Sequence, residues 1–288
     1  MQEKMKAFQK RKRVVEMTII LGGLSVIVAA LLFVLAIEPM ALIVALLVVG
    51  AVTLFFGYSS YTTIQDDFKS KVLKAILEES VENGTYKPKM GLGPSQVYQG
   101  ECLSQADHIK TEDFLSGAID GVSFVSSDVV LSNYQTVSTG KSVTQVLTPY
   151  FTGRVFSFDF NKTFKGRVFV MEAGRPVTQY EVEPVELESH DFNKTFKTYA
   201  SEPHSAFYIL TPQVIEALLK IEKNHPGDLS FSFIGTKLHI AINNQIDTFE
   251  LSMFRPLNEE AIQAFTDDLD ILRDVVHSLR LSRSIFKH

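Results

Sequence analysis

The sequence predicts an α+β fold, with an N-terminal two-helix transmembrane hairpin followed by a soluble α+β domain built on a mainly antiparallel sheet. Two apolar runs, 14–37 and 40–61, each exceed the roughly 20 residues needed to cross a hydrocarbon core. Later segments alternate apolar and polar residues, as half-buried strands do. Other segments repeat apolar residues at helical spacing.

Only Glu38 and Pro39 separate the two apolar runs. Proline breaks a helix because it lacks an amide donor and clashes with the preceding turn. A connection this short predicts two antiparallel helices in contact. Small residues at four-residue spacing allow close packing: Ser25, Ala29, Ala41 and Ala45. The alternatives are a cleaved signal peptide and a hairpin within one leaflet. The first run is longer than a signal-peptide core, and both runs have spanning length.

Charge predicts the orientation of the hairpin. Residues 1–13 form a basic tag with six lysines and arginines, whereas the turn between the helices carries only Glu38. Basic residues stay on the cytoplasmic side, so we expect a multi-pass membrane protein with both termini cytoplasmic. Glu16 lies one turn beyond the tag. We therefore interpret it as an interfacial side chain that reaches the headgroups, in preference to a buried functional carboxylate.

The composition excludes some partners of the soluble part. The net charge is −5, and subtracting the basic tag and the hairpin leaves the soluble part near −8. An acidic domain is poorly suited to nucleic acid, so none is expected as a partner. Cys102 is the only cysteine and cannot form an intrachain disulfide, which fits a reducing cytoplasm.

The first half of the soluble part begins with helical spacing over 65–84, which predicts a juxtamembrane helix before a cytoplasmic domain over 85–288. Residues 86–105 are rich in glycine and proline and predict an ordered connector. Residues 111–115 predict a short helical turn, and 122–130 begin the strands. Residues 133–148 are rich in Ser, Thr and Gln and predict a mobile loop or a long hairpin tip.

The second half contains further strand patterns, at 155–160, 167–172 and 181–187. Thr211-Pro212 is a favourable helix start. Residues 229–233 and 238–242 alternate around a two-residue Gly235-Thr236 turn and predict a hairpin with all its large apolar residues on one face. A last helix over 258–283 carries apolar residues at heptad spacing, either packed on its own domain or self-associating.

A heptapeptide, Asp-Phe-Asn-Lys-Thr-Phe-Lys, occurs at 159–165 and again at 191–197. A solenoid needs at least three units, so two copies do not predict one. One interpretation is a similar aromatic-anchored turn used twice, and the other is a site formed by both copies. The candidate interaction residues are Asp159, Phe160, Asn161, Phe164, Asp191, Phe192, Asn193 and Phe196.

These heptapeptides and three further segments carry a family resemblance. The segments are 151–156, 206–212 and 247–250. With the N-terminal helix pair they resemble an uncharacterised bacterial membrane family that has two membrane helices and a cytoplasmic domain of unknown function. Members are sometimes found near LemA-type proteins, so the resemblance implies such a protein as a candidate partner. The resemblance also implies a bacterial source, and with it the inner membrane as the location. It implies no activity and no catalytic residues.

The sequence contains no constellation that predicts a reaction, a cofactor or a metal. Gly91-Leu92-Gly93-Pro94 lacks the third glycine and the opening helix of a dinucleotide fingerprint. The seven histidines are scattered, and a zinc site has no second cysteine. Cys102 with His108 is one conceivable nucleophile and base, but a lone partly buried thiol is the simpler interpretation. We therefore expect no cofactor, no metal and no catalytic residues, and an enzyme is the less favoured class.

Two functions remain open at this point. One is a membrane-anchored interaction or scaffold module that faces the cytoplasm and serves an envelope process, with a protein partner or a second copy of itself. The other is a ligand-binding or enzymatic domain that works on a lipid or small molecule at the inner membrane face. A deep pocket with perturbed titratable groups favours the second, and an exposed apolar patch or bare sheet edge favours the first.

Overall fold

The computed structural model describes residues 2–36, 40–138, 140, 143–159, 163–225, 227–245, 249–251, 253–255 and 273–277. The chain divides into two compact units. Unit 1 comprises Met1–Leu73 with Glu250–Ala264, and unit 2 comprises Lys74–Phe249 with Phe265–His288. Two long apolar helices precede a mainly antiparallel sheet, which confirms the predicted α+β fold.

Unit 1 is built on two long helices, α1 (Gln2–Val34) and α2 (Met40–Asp67), and α2 is followed by a π-helical stretch at Phe68–Leu73. The segments Lys6–Val34 and Met40–Ser80 are long and apolar enough to cross a membrane. Their apolar side chains, such as Leu21 and Phe55, are largely exposed, as expected for surfaces in contact with lipid. The protein is therefore membrane-associated.

The two helices of unit 1 approach closely where glycine lies at their contact. A β-carbon added at Gly50 of α2 would lie 2.6 Å from Val26 Cγ2 and 3.1 Å from the carbonyl oxygen of Gly22. The Ser25 hydroxyl donates to the Leu46 carbonyl oxygen at 2.8 Å, and Ala29 is fully buried. Ser25 and Ala29 lie at the predicted contact, whereas the glycines had not been singled out from the sequence.

A short returning segment closes unit 1 through buried polar groups. Lys12 forms an ion pair with Glu16, and its ammonium group also donates to the Arg255 carbonyl oxygen at 2.7 Å. Glu16 accepts a hydrogen bond from the Phe254 amide at 2.8 Å. The Tyr61 hydroxyl donates to the Leu251 carbonyl oxygen. Glu16 is thus held within the protein, which differs from the headgroup-facing role expected for it.

Unit 2 is organised by one antiparallel sheet, which contains nine strands among the described residues, in the order β1-β2-β3-β4-β9-β8-β5-β7-β6. The strands are β1 (Glu82–Lys87), β2 (His108–Ile119), β3 (Val122–Ser138), β4 (Val143–Asp159), β5 (Arg167–Met171), β6 (Glu183–Val185), β7 (Lys197–Ala200), β8 (Asp228–Ile234) and β9 (Lys237–Asn243). The helices are α3 (Lys74–Ser80), α4 (Pro94–Tyr98), α5 (His190–Thr195), α6 (Pro203–Ile209) and α7 (Pro212–Asn224).

Both faces of the sheet are buried at its centre. Phe231 and Phe233 of β8 contact Phe196 and Phe164 on one face. On the other face, residues of the connector and α4 pack on β3, β4 and β9: these residues include Leu92, Val97, Val129, Val155 and Ala241. The many phenylalanines of the sequence therefore fill a core between the sheet and its coverings.

Several sequence expectations meet the structure with different outcomes. The β8–β9 hairpin has the predicted register, with Phe233 opposite Leu238 and Phe231 opposite Ile240. Helix α7 starts at Pro212, although the Thr211 side chain makes no capping hydrogen bond. The helical turn expected at 111–115 is wrong, because these residues pair with β3 as part of β2.

The predicted juxtamembrane helix ends earlier than the sequence pattern indicated, and the predicted C-terminal helix is described only in part. Helical structure ends at Ser80, and the chain then enters β1 at Glu82, before the expected stop at residue 84. Most of the predicted 258–283 helix lies outside the described residues. The part described, 273–277, is helical and buries Val275 and Val276.

Candidate functional site

The most exposed structured feature of unit 2 is the far end of the β3–β4 hairpin. The two strands pair continuously from Phe124 opposite Phe158 to Ser138 opposite Val143, with one register shift at residues 131–132. The last pair of β2 with β3 is at Ser132, and the last pair of β9 with β4 is at Arg154. We call residues 133–138 and 143–148 the arm, and the paired residues 122–132 and 151–159 the base.

The arm exposes apolar side chains on both of its faces. Tyr134 opposes Leu147 on one face, and Tyr134 is 56% exposed. Val143 lies on that same face and is 71% exposed. Val137 and Val146 lie on the opposite face and are also exposed. Residues 133–138 and 143–148 contain no acidic or basic side chain.

Side chains close the root of the arm on both edges. On the β3 edge, the Tyr134 amide donates to Asp107 Oδ2 at 2.9 Å, and the Asp107 amide donates to Asn133 Oδ1 at 3.1 Å. On the β4 edge, Asn243 accepts from the Thr152 amide at 3.1 Å and donates to the Tyr150 carbonyl oxygen at 3.3 Å. Beyond these contacts, no described strand pairs with the outer edge of either arm strand.

A buried charged cluster holds the base. Arg154 of β4 lies opposite Asp128 of β3, and their charged atoms are 3.1 Å apart. The guanidinium group also donates to the Asp113 carbonyl oxygen at 2.9 Å and lies 4.1 Å from the centre of the Phe249 ring. All three charged residues are buried. The cluster therefore fixes the register of β3 and β4 just below the arm.

Tyr86 completes this cluster from the β1 edge. Its hydroxyl donates to Asp113 Oδ1, and burial together with that carboxylate raises the pKa of Tyr86. Asp113 sits in a bulge of β2 with a φ of 56°, a left-handed conformation that aspartate tolerates. The cavity beside Asp128 measures about 10 Å³, room for about one water molecule. Sequence reasoning missed this cluster because its members come from four strands.

Cys102 and His239 lie at a second small cavity, also of about 10 Å³. Burial raises the pKa of the Cys102 thiol to about 12, so the thiolate that a nucleophile requires is not populated near neutral pH. Burial lowers the pKa of His239 to about 4, so the ring is neutral. His108, the base considered from the sequence, is exposed at the start of β2. Cys102 thus behaves as a packed thiol.

The two heptapeptides have different structures. In the first, Asp159 ends β4 and pairs with Lys237 at 2.7 Å, Phe164 is buried, and Phe160 and Asn161 lie outside the described residues. In the second, Asp191 to Thr195 lie in α5, Phe196 caps the end of that helix, and Lys197 begins β7. Phe192 and Phe196 are buried there with ring centres 5.1 Å apart.

Asn193 of the second copy binds the backbone of Leu187 twice, accepting from its amide at 3.2 Å and donating to its carbonyl oxygen at 2.7 Å. Among the described candidate residues, Asp159 and Asp191 are the exposed ones. Within the described part of the chain, no three histidine, cysteine, aspartate or glutamate side chains are grouped to hold a metal ion.

Residues 149–281, a little under half of the chain, match the family described as "Protein of unknown function (DUF3137)". This match confirms the resemblance to an uncharacterised family. No curated protein matches the sequence. Among solved structures, the crystal structure of the mycobacterial trehalose monomycolate transport factor A, TtfA, is similar with a TM-score of 0.38 and 7% identity, over 72% of this chain and 96% of that chain. A likeness this distant carries no argument about function.

Proposed function

We propose that this protein is a membrane-anchored interaction module that uses the β3–β4 arm to bind another protein chain. The observation that supports it is the arm itself, an uncharged two-stranded ribbon that exposes apolar side chains and extends past both neighbouring strands. A two-stranded hairpin is at best marginally stable alone in water. Exposed apolar side chains and unpaired strand edges are the features through which an extended chain is added to a sheet.

We further propose that the module lies at the inner membrane of a bacterial cell, with both termini cytoplasmic, and serves an envelope process. The basic residues in the first turns of α1 support this orientation. Reporter fusions test it: a fluorescent protein that folds only in the cytoplasm is expected to be bright at either terminus. An export-dependent phosphatase at either terminus is expected to be inactive, and an active phosphatase would invert the proposal.

Capture from native membranes tests the interaction. The tagged full-length protein, extracted in mild detergent, is compared with a variant in which residues 135–146 are replaced by Asn-Gly. This replacement keeps the base and should close a short hairpin. A stoichiometric protein that is bound by the full-length chain and lost from the shortened one supports the proposal. The family resemblance makes LemA-type proteins the first to look for.

The alternative function is a domain that binds a lipid or small molecule. The cavities at Asp128 and at Cys102 are each about 10 Å³, far below the few hundred cubic ångströms of typical ligand pockets. Recovery of one defined lipid or metabolite, with the same occupancy on the full-length and shortened chains, would favour this alternative. Asp159 and Asp191 are the exposed residues among the described candidates of the heptapeptides, and we propose them as secondary protein contacts.

A further inference from the structure

We propose that the partner of the arm is the arm of a second copy of this chain, joined by antiparallel pairing of the two β4 edges about Gln145. This inference rests on the proposed interaction function and names its occupant. The four arm strands would then form one continuous sheet. The argument depends on the order of residues in β4, on the charge of the arm, and on the shared bilayer.

The residue order selects the register. When a strand pairs antiparallel with its own copy around a twofold axis perpendicular to the sheet, residues at equal distances before and after the axis face each other. Centred on Gln145, Val143 faces Leu147 of the other copy, and this pairing occurs twice. Centred on residue 144, Val143 would face Gln145. Centred on residue 146, Val143 would face Pro149, which has no amide to donate. Of these three centres, Gln145 is the one that gives Val143 an apolar partner.

The same register covers Val143, the most exposed large apolar side chain of the arm. Val143, Leu147 and Tyr134 share one face of the arm. In the paired form, Val143 of one copy lies beside Leu147 of the other, and Leu147 is flanked in turn by its own Tyr134. Cross-strand apolar pairs of this kind stabilise a sheet relative to alanine pairs. Two separate two-stranded ribbons thereby become one four-stranded sheet, which exceeds the three strands that a sheet needs for stability of its own.

Charge favours the arm as the place where two copies meet. The soluble part carries a net charge near −8, so two copies repel each other over most of their surface. The arm residues 133–138 and 143–148 contribute nothing to that repulsion because they are uncharged. Edge strands that must avoid pairing usually carry a lysine or a proline. Residues 143–148 contain neither.

The bilayer supplies the concentration that a small interface requires. Stable soluble dimers bury about 800 Å² on each partner, more than five paired residues per strand provide. Anchored chains share a thin layer of solution at the membrane, which raises their effective concentration. We therefore expect dimers in the membrane and their dissociation when detergent dilutes the protein.

Cysteine cross-linking in native membranes tests the register. Gln145→Cys, on a full-length chain that also carries Cys102→Ala, places the two new thiols directly opposite each other. Opposed residues in an antiparallel pair lie 4.5–5.5 Å apart at their Cα atoms, within the range for a disulfide. Val146→Cys is the matched control, because its own copy would be a diagonal neighbour at about 7–8 Å. We expect a covalent dimer from position 145 and about tenfold less from position 146.

A charge exchange distinguishes this pairing from general stickiness. The double variant Val143→Lys with Leu147→Lys puts like charges opposite each other twice. The variant Val143→Lys with Leu147→Glu removes the same apolar side chains but puts opposite charges together twice. We expect the first to lower cross-linking at position 145 about tenfold and the second to preserve it. Val137→Lys, a charge on the other strand, should change the yield little.

Two results would overturn the inference: equal cross-linking at positions 145 and 146, or equal loss in both double variants. The melting temperature of each variant is compared with that of the unmodified chain, and equal values show that the base remains folded. If cross-linking fails while the arm-dependent protein is still captured, the interaction function stands with another occupant. If capture fails as well, the proposed function falls with the inference.

Discussion

The base and the arm are two regions of the same pair of strands, with the same antiparallel pairing and opposite surroundings. Val155 in the base is 3% exposed, whereas Val143 on the same strand is 71% exposed. The backbone is regular in both, so the pairing of β3 with β4 does not explain why the strands continue. The difference shows that burial against the described part of this chain does not stabilise the arm. We therefore look to a binding partner to explain why the two strands continue beyond the base.

The largest effect should come from breaking the charged cluster of the base. Arg154→Met deprives the buried Asp128 carboxylate of its guanidinium partner, and removing one member of a buried ion pair costs about 3–5 kcal/mol. Chemical denaturation of the full-length protein in detergent measures this loss. Arg175→Met, at an exposed arginine, is the matched control and should change the free energy of unfolding by less than about 0.5 kcal/mol.

A smaller loss of stability is expected where β4 of the base lies beside β9 in the sheet. A β-carbon added at Gly153 would lie 1.9 Å from the Ile242 carbonyl oxygen, so the two backbones must separate. Gly153→Ala should therefore lower the free energy of unfolding by about 3 kcal/mol, as overpacked sites do. Gly93→Ala, whose added carbon meets nothing closer than 3.6 Å, serves as the control in the same unfolding assay. Equal tolerance at both positions would contradict the close approach.

The free energy of unfolding is expected to decrease as the pH falls because of His239. This residue lies beside the base, opposite Ser157 of β4. The pKa of His239 is lowered to about 4 in the folded protein, below its usual 6.5. The unfolded chain therefore takes up a proton first as the pH falls. The contribution of neutral His239 to the free energy of unfolding is complete above about pH 6.5 and decreases toward pH 4. At pH 5 the decrease amounts to about 2 kcal/mol.

Comparison of melting temperatures at pH 7 and pH 5 isolates the His239 effect. His239→Gln should show a smaller decrease than the unmodified chain, while His108→Gln at an exposed site should leave the decrease unchanged. Identical pH dependence in all three chains would assign the decrease to other groups.

The smallest effect is expected in the arm. Val143→Ser should change the free energy of unfolding by less than about 0.5 kcal/mol, because the side chain is already in water. Val155→Ser on the same strand should cost about 2 kcal/mol or more, since it opens a cavity and buries a hydroxyl group. A large loss at position 143 would mean that the arm packs against this same chain, and the contrast would disappear.

Local patterns predicted the parts of the fold that local rules determine. The β8–β9 hairpin was predicted to the residue because its alternation and its two-residue turn require the same register. The arm was predicted only as one of two options. Both faces of the arm are exposed to water, and its apolar residues, such as Tyr134 and Val137, lie on opposite faces. The sequence therefore lacks the regular apolar alternation that distinguishes a half-buried strand from a loop.

The repeated heptapeptide shows where local sequence stops determining structure. Each copy is preceded by a serine two residues earlier, Ser157 and Ser189. Ser189 accepts a hydrogen bond from the Phe192 amide and begins α5. Ser157 instead lies in β4 opposite His239. In the first copy the serine pairs with β9 and does not cap a helix. This pairing joins residues that are distant in the sequence, so local sequence patterns do not predict it.

The return of residues 250–255 to unit 1 gives the chain an order of assembly. Lys12 and Glu16 are synthesised early, but the backbone groups of Phe254 and Arg255 that they bind are made only after the whole of Lys74–Phe249. A ribosome that stalls before residue 254 leaves these two side chains without those contacts at the end of an apolar helix. The polar contacts of the membrane anchor are therefore completed only when nearly the whole chain has been made.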